Sequence, residues 1–155
     1  MAATPTTIFD IRKIYTKDIS FESPKAPGVF LNSSKNPNID MQITIARNTL
    51  DQEDYYEVVL KLSVTAQIDD SALFLIEIEQ AGVFQITGII DENLELALEV
   101  ASPNILLPFA REAISDLVTK GGFPQLLIAP INFESLYQQK KQAQTAADNK
   151  NTAKH

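Results

Sequence analysis

YYEVVLKLSVTAQIDDSALFLIEIE, residues 55–79, decides the fold class. Tyr56, Val58, Leu60, Leu62, Val64, Ala66 and Ile68 alternate with Glu57, Lys61, Ser63, Thr65 and Gln67. Phe74, Ile76 and Ile78 alternate with Leu73, Leu75, Glu77 and Glu79. A period of two with one apolar parity is a strand with one buried face. The short acidic turn IDDSA joins the two runs, so they pair as an antiparallel hairpin. Asp69 and Asp70 sit in that turn, where aspartate is favoured for backbone reasons, and not in a catalytic pair.

Upstream, Ile39, Met41, Ile43 and Ile45 alternate with Asp40, Gln42 and Thr44, and the turn LDQED returns the chain. Three strands therefore form a meander. A further strand begins at Ile8, with Phe9, Ile11, Tyr15, Ile19 and Phe21 on one parity, and Ile8 and Ile14 as exceptions on the other. Lying beside the last strand, it completes a four-stranded antiparallel Greek-key sheet. Asp18 and Glu22 then share a wet face with Leu75, Glu77 and Glu79, and the first strand is left at an edge, free to pair with another subunit.

Downstream, AGVFQITGII extends the last strand or ends it at Gly82 or Gly88. Asp91 and Glu92 suit a helix N-terminus. Leu94, Leu98 and Ala101 make a stripe that Pro103 interrupts. With Ser102 as a cap and Pro103 at the first position, the spacing predicts a kinked pair of helical segments, Pro108 lying inside the second. Phe109, Ala110, Ala113, Ile114, Leu117 and Val118 form one face of that second segment, which stops at Gly121-Gly122. Phe133, Leu136 and Tyr137 start a short last helix. The fold class is α+β, helices on one face of the sheet. Residues 8–138 form the domain, residues 1–7 a disordered N-terminus, and residues 139–155 a polar disordered tail.

Charge and composition exclude much. Between residues 51 and 99 every charged side chain except Lys61 is acidic, and the net charge is -7. Nucleic acid is not a partner for such a surface. There is no cysteine, and the one histidine is His155. No histidine triad, thiol nucleophile or histidine metal site can be built, so neither enzyme chemistry nor a metal or other cofactor is expected. No apolar run is long enough to span a membrane, and the N-terminus is not a secretory signal, which points to the cytoplasm.

Two loops are too apolar for loops. SPKAPGVFLNSSKNPN, residues 23–38, carries Val29, Phe30 and Leu31. GGFPQLLIAPINF, residues 121–133, carries Phe123, Leu126, Leu127, Ile128 and Ile131. They are ordinary core, with a short buried strand at LLIA as one form of it, or the walls of a groove for extended apolar peptide.

IYTKDISFESPKAP, YYEVVLKLSVTA, FLIEIEQAGVFQITGI and PNILLPFAREAISDLVTKGGFPQLLIAPINFESLY resemble, block by block and in order, the SecB family of bacterial export chaperones. The resemblance covers residues 8–138. It implies an ATP-independent chaperone, a homotetramer built as a dimer of dimers. Such proteins bind unfolded preproteins in the cytoplasm and deliver them to the SecA motor. By match, the client groove falls on Pro27, Val29, Phe30, Phe123, Pro124, Leu126 and Ile128. The SecA contact falls on Asp18, Glu22, Leu75 and Glu77, four residues that strand parity independently puts on one face. LNSSKNPNI departs from the family in lacking tryptophan, and the tail is mildly basic where the family's is acidic. Two other readings remain: a related chaperone dedicated to another client such as an antitoxin, and a small-molecule-binding domain.

Overall fold

The computed structural model describes residues 6–31 and 35–153. Most of the N-terminal segment, the middle of the first long loop and the last two residues of the tail thus lie outside the described residues. Four strands, β1 (Ile8–Glu22), β2 (Asn38–Thr49), β3 (Tyr55–Ile68) and β4 (Ser71–Thr87), form one antiparallel sheet in the order β1-β4-β3-β2. The last strand runs on to Thr87, and Gly88 ends it with φ +75. Asp69 and Asp70 have φ of 49 and 62 between the paired Ile68 and Ser71, a two-residue hairpin turn in left-handed backbone. Their place is conformational.

Helices cover one sheet face. The even-numbered residues of β4 from Phe74 to Ile86 meet Val58, Leu60, Leu62, Val64 and Ala66 of β3 in a core closed by Leu98, Leu106, Ala110, Ile114 and Val118. The odd-numbered residues face the other way.

β1 departs from simple alternation. Bulges between Ile11 and Lys13 and between Thr16 and Asp18 invert the parity twice. Ile14, an exception by sequence, thereby turns to the core side opposite Gly82, while Tyr15 turns outward opposite Ala81. Gln80, buried at 3%, donates from Nε2 to the Tyr15 carbonyl beside the irregular ladder (3.1 Å). The second bulge restores the phase, so Ile19 and Phe21 face inward and Asp18 and Glu22 outward. The face that sequence makes buried is only half covered: Phe9, Ile11 and Ile19 are exposed.

Pro103 does not break the helix. Helix α1 (Asp91–Leu96) passes through one π turn (Ala97–Ala101) into α2 (Ser102–Lys120). Ser102 N–H and Oγ both bond the Ala97 carbonyl, the latter at 2.7 Å, and the wider turn absorbs the donor that Pro103 lacks. The extra residue shifts the buried stripe from Leu94 and Leu98 to Pro103, Leu107, Ala110, Ile114 and Val118. Ala101 and Phe109, both read as inward by spacing, are exposed, Phe109 at the rim of the α2 face.

The last helix is not short. α3 (Phe133–Thr152) runs through most of the tail read as disordered. Asn132 caps it, its side chain accepting from Ser135 N–H at 3.0 Å. Lys140 and Lys141 tie its second turn to Glu99 and Glu92 at 3.3 and 3.1 Å. Alanine, glutamine and lysine are good helix formers, so the remainder needs no apolar stripe.

Candidate functional site

The double glycine shapes the first site. At the end of α2, Gly121 N–H bonds Leu117 O at 2.8 Å and Phe123 N–H bonds Val118 O at 3.1 Å, with Gly122 at φ +87. A Cβ on Gly121 would press into the Phe21 ring, 2.9 Å from Cε1, and one on Gly122 would stand 3.1 Å from the Phe30 ring. The chain thus turns tightly between two aromatic rings. Gly121→Ala is expected to lower stability by about 1–3 kcal/mol in urea unfolding, since its φ of -73 leaves steric overlap as the only cost.

Beyond that turn Phe123 packs against Phe74 and Phe30, ring centroids 5.0 and 5.4 Å away, and Phe74 stacks on Phe21 at 6.1 Å. Phe30, Phe74 and Phe123 floor a groove of about 720 Å³. Of the residues expected there, Val29, Phe30, Phe123, Pro124 and Leu126 line it. Pro27 is exposed outside the lining, on the approach to a single 3-10 turn (Gly28–Phe30). Ile128 is 8% exposed and belongs to the core cluster. Among the described residues, neither apolar loop forms a strand of its own between the elements it joins. The sheet ends supply Ile39, Ile68, Leu73 and Phe74, which sequence reading assigned to strands and not to the groove. Their position beside the acidic turn and at the return of the first long loop was the available signal.

The second site is on the uncovered sheet face. The register aligns Glu22, Leu75, Thr65 and Asp40 in one row, Ser20, Glu77, Ser63 and Gln42 in the next, and Asp18, Glu79, Lys61 and Thr44 in a third. Asp18, Glu22, Leu75 and Glu77 therefore share one face. Short serines flank Glu77 on both sides, which leaves its carboxylate standing clear. Asp18, Glu22, Glu77 and Glu79 make no ion pair among the described residues.

Two polar networks went unseen in the sequence, because they join residues far apart in it. Arg47 of β2 pairs with Glu95 at 2.6 Å and with buried Glu99 on the π turn at 3.7 Å; Glu99 also takes Lys140. The Arg47 hydrogen bond holds the Glu95 carboxyl below its usual range. On the outer face Glu57 accepts from the Tyr15 hydroxyl, from Lys17 at 3.0 Å and from Asn48 at 3.2 Å, tying both edge strands to β3. The Tyr15 bond holds Glu57 low, while burial and then Glu57 push Tyr15 up to about 12.

Tyr15's folded-state pKa exceeds its unfolded value of 10, so its contribution is full below pH 10 and is lost as pH rises toward 12. Glu57 is depressed, so its contribution is full above the ordinary value of 4.5 and is lost as pH falls through its folded value. Tyr15→Phe should cost about 1.5 kcal/mol near neutrality. In unfolding across pH, the gap to wild type should close at both ends.

Among the described residues, no group of three His, Cys, Asp or Glu side chains is placed to hold a metal, and no helix is long and apolar enough to cross a membrane. An apolar groove beside a separate charged face is an arrangement suited to a polypeptide-binding protein. The family described as Preprotein translocase subunit SecB matches residues 2–144, and the chain belongs to the SecB family of protein-export chaperones, which bind client proteins. The protein-export protein SecB of Chromobacterium violaceum is 50% identical over 141 residues, covering 91% of this chain and 93% of that one. That of Methylobacillus flagellatus is 45% identical over 144 residues, 93% of this chain and 90% of its own. Among solved structures, the SecB-like chaperone of Mycobacterium tuberculosis, in complex with an antitoxin peptide, shares the fold. Its TM-score is 0.66 at 17% identity, over 79% of this chain and 90% of that chain.

Proposed function

We propose that the groove of Phe30, Phe74, Phe123 and Leu126 holds apolar segments of unfolded preproteins, and that the acidic face around Glu77 docks the SecA motor. The observation that carries this is the pleat of β4. Phe74 lines the groove and its neighbour Leu75 lies on the acidic face, so one strand serves two surfaces that do not compete. Burial of aromatic and aliphatic area holds a client with little demand on its sequence. Carboxylates without ion-pair partners among the described residues attract a basic surface and speed its arrival.

The working form is a cytoplasmic homotetramer, a dimer of dimers, acting without ATP. In support, β1 is a free sheet edge. Phe9, Ile11 and Ile19 on β1, and Phe109 on α2, are exposed apolar side chains that a second copy would cover. Four subunits multiply weak client contacts. Identities of 45–50% to export proteins, against 17% to the antitoxin-bound chaperone, favour preproteins as clients over an antitoxin.

The test is solution mass with and without an unfolded preprotein. A particle near four times 17.2 kDa that forms a stable complex with unfolded client alone supports the reading. A monomer, or one indifferent to unfolded client, overturns it.

A further inference from the structure

Charge on the outer sheet face changes sign along its strands. The first two rows hold Glu22, Asp40 and Glu77 and no cation. In the third row Lys61 stands across from Glu79, with Asp18 on the far side of Glu79. The register continues past this acidic patch. Tyr15, Ala81, Val59 and Ala46 form a fourth row, and Lys13, Val83, Glu57 and Asn48 a fifth.

The fifth row is the cationic end. By plain alternation Lys13 belongs to the parity of Phe9 and Ile11. The bulge between Ile11 and Lys13 turns it outward, opposite Val83. Glu57, the one carboxylate of that row, is already engaged by Lys17 at 3.0 Å, by the Tyr15 hydroxyl and by Asn48. Lys13 is exposed and makes no ion pair among the described residues. The fourth row, between the two ends, is flat: Ala81 and Val59 are buried and Ala46 is small. Leu75 and Val83 lie eight residues apart on β4, about 27 Å. The screening length at physiological salt is about 8 Å. A bound group therefore feels the end on which it sits and not the average of the face.

We propose that this face is directional. It takes an extended polypeptide segment whose cations lie over Glu22, Asp40 and Glu77 and whose carboxylate lies against Lys13. The proposal rests on the reading of this face as the SecA dock and adds the charge order and direction of the docked segment. A segment that is basic throughout is attracted at one end and repelled at the other. A segment with its charges in the reverse order meets like charge at both ends, so the cationic end rejects partners that the acidic patch alone would accept. The flat fourth row lets the chain pass close to the sheet between the two ends.

The test is titration of the full-length protein with purified SecA at low salt, for wild type, Lys13→Glu, Lys13→Gln and Glu77→Lys. Were the docked segment basic throughout, a further carboxylate at position 13 would tighten binding. The directional segment gives the opposite sign. Lys13→Glu sets carboxylate against carboxylate and is expected to weaken binding about fivefold, with the difference closing at an ionic strength of about 1 M. Lys13→Gln, which removes the charge and adds none, should weaken it about twofold. Melting temperature and particle mass should stay at the wild-type values, and where Lys13→Glu moves either, Lys13→Gln decides the sign. Tighter or unchanged SecA binding in the Lys13 variants overturns the direction and leaves an acidic patch alone. Unchanged SecA binding in Glu77→Lys overturns the SecA reading of the face, and the direction with it.

Discussion

Phe133→Ala is expected to destabilise the protein by about 3–5 kcal/mol in urea unfolding, the range for deleting a fully buried aromatic ring. Phe133 is 1% exposed in the first turn of α3, and Tyr137 at 6% is the last buried residue among those described. From Gln138 through Ala153 every residue is exposed. Removing the ring leaves a cavity in the core cluster and frees the helix from the fold. Twenty residues rich in alanine and lysine keep only marginal helicity once detached, so far-UV helical signal should fall together with stability. Lys140→Ala is the contrast. It removes an ion pair 3.3 Å long, but Glu99 keeps Arg47, so no buried carboxylate is orphaned and the loss should stay below about 1 kcal/mol. If both variants cost the same, α3 is held by charge and not by its first turn.

Why α3 escaped sequence reading follows from the same residues. Beyond Tyr137 there is no apolar stripe, and periodicity detects only helices that bury one. The ion pairs along α3 join residues 41 and 49 apart in the same chain, invisible to local pattern. The π turn escaped for a related reason. A stripe with one residue inserted looks like two helices, and Pro103 at the insertion invited that reading. β3 and β4 were legible because their alternation is unbroken where it counts and the Asp69-Asp70 turn fixes their register. β1 was legible as a strand but not in detail. Two bulges reverse its phase, and since they cancel, the faces assigned to Asp18, Glu22 and Phe21 hold while those of Ile14 and Tyr15 are exchanged. The groove divides in the same way. The apolar loops raised it as one of two readings, whereas Pro27 and Ile128 came in by match to the family and lie outside its lining. Phe74, at its floor, has the same alternating pattern as any core strand residue.

Glu77→Lys is expected to weaken SecA binding by about a hundredfold while leaving client capture and tetramer mass unchanged. The argument is positional. Glu77 stands between Ser20 and Ser63 on the outer face, with Asp18, Glu22 and Glu79 on neighbouring positions and no cation within pairing distance among the described residues. Reversing its charge replaces attraction for a basic partner with repulsion at the centre of the patch, and like charges brought together at an interface cost several kcal/mol. The fold should tolerate the change, because the side chain is exposed and the carboxylate neighbours welcome a cation. Client capture should be spared because Phe74 and Phe123 lie on the opposite side of the pleat. Salt supplies an internal control. At an ionic strength of about 1 M the screening length falls to about 3 Å, and the gap between wild type and variant should narrow as both bind weakly. Titration of purified SecA at low and high salt reads all of this. Equal affinity for the two proteins at low salt would remove Glu77 from the docking face, and a parallel loss of client binding would mean that the two surfaces are not separate.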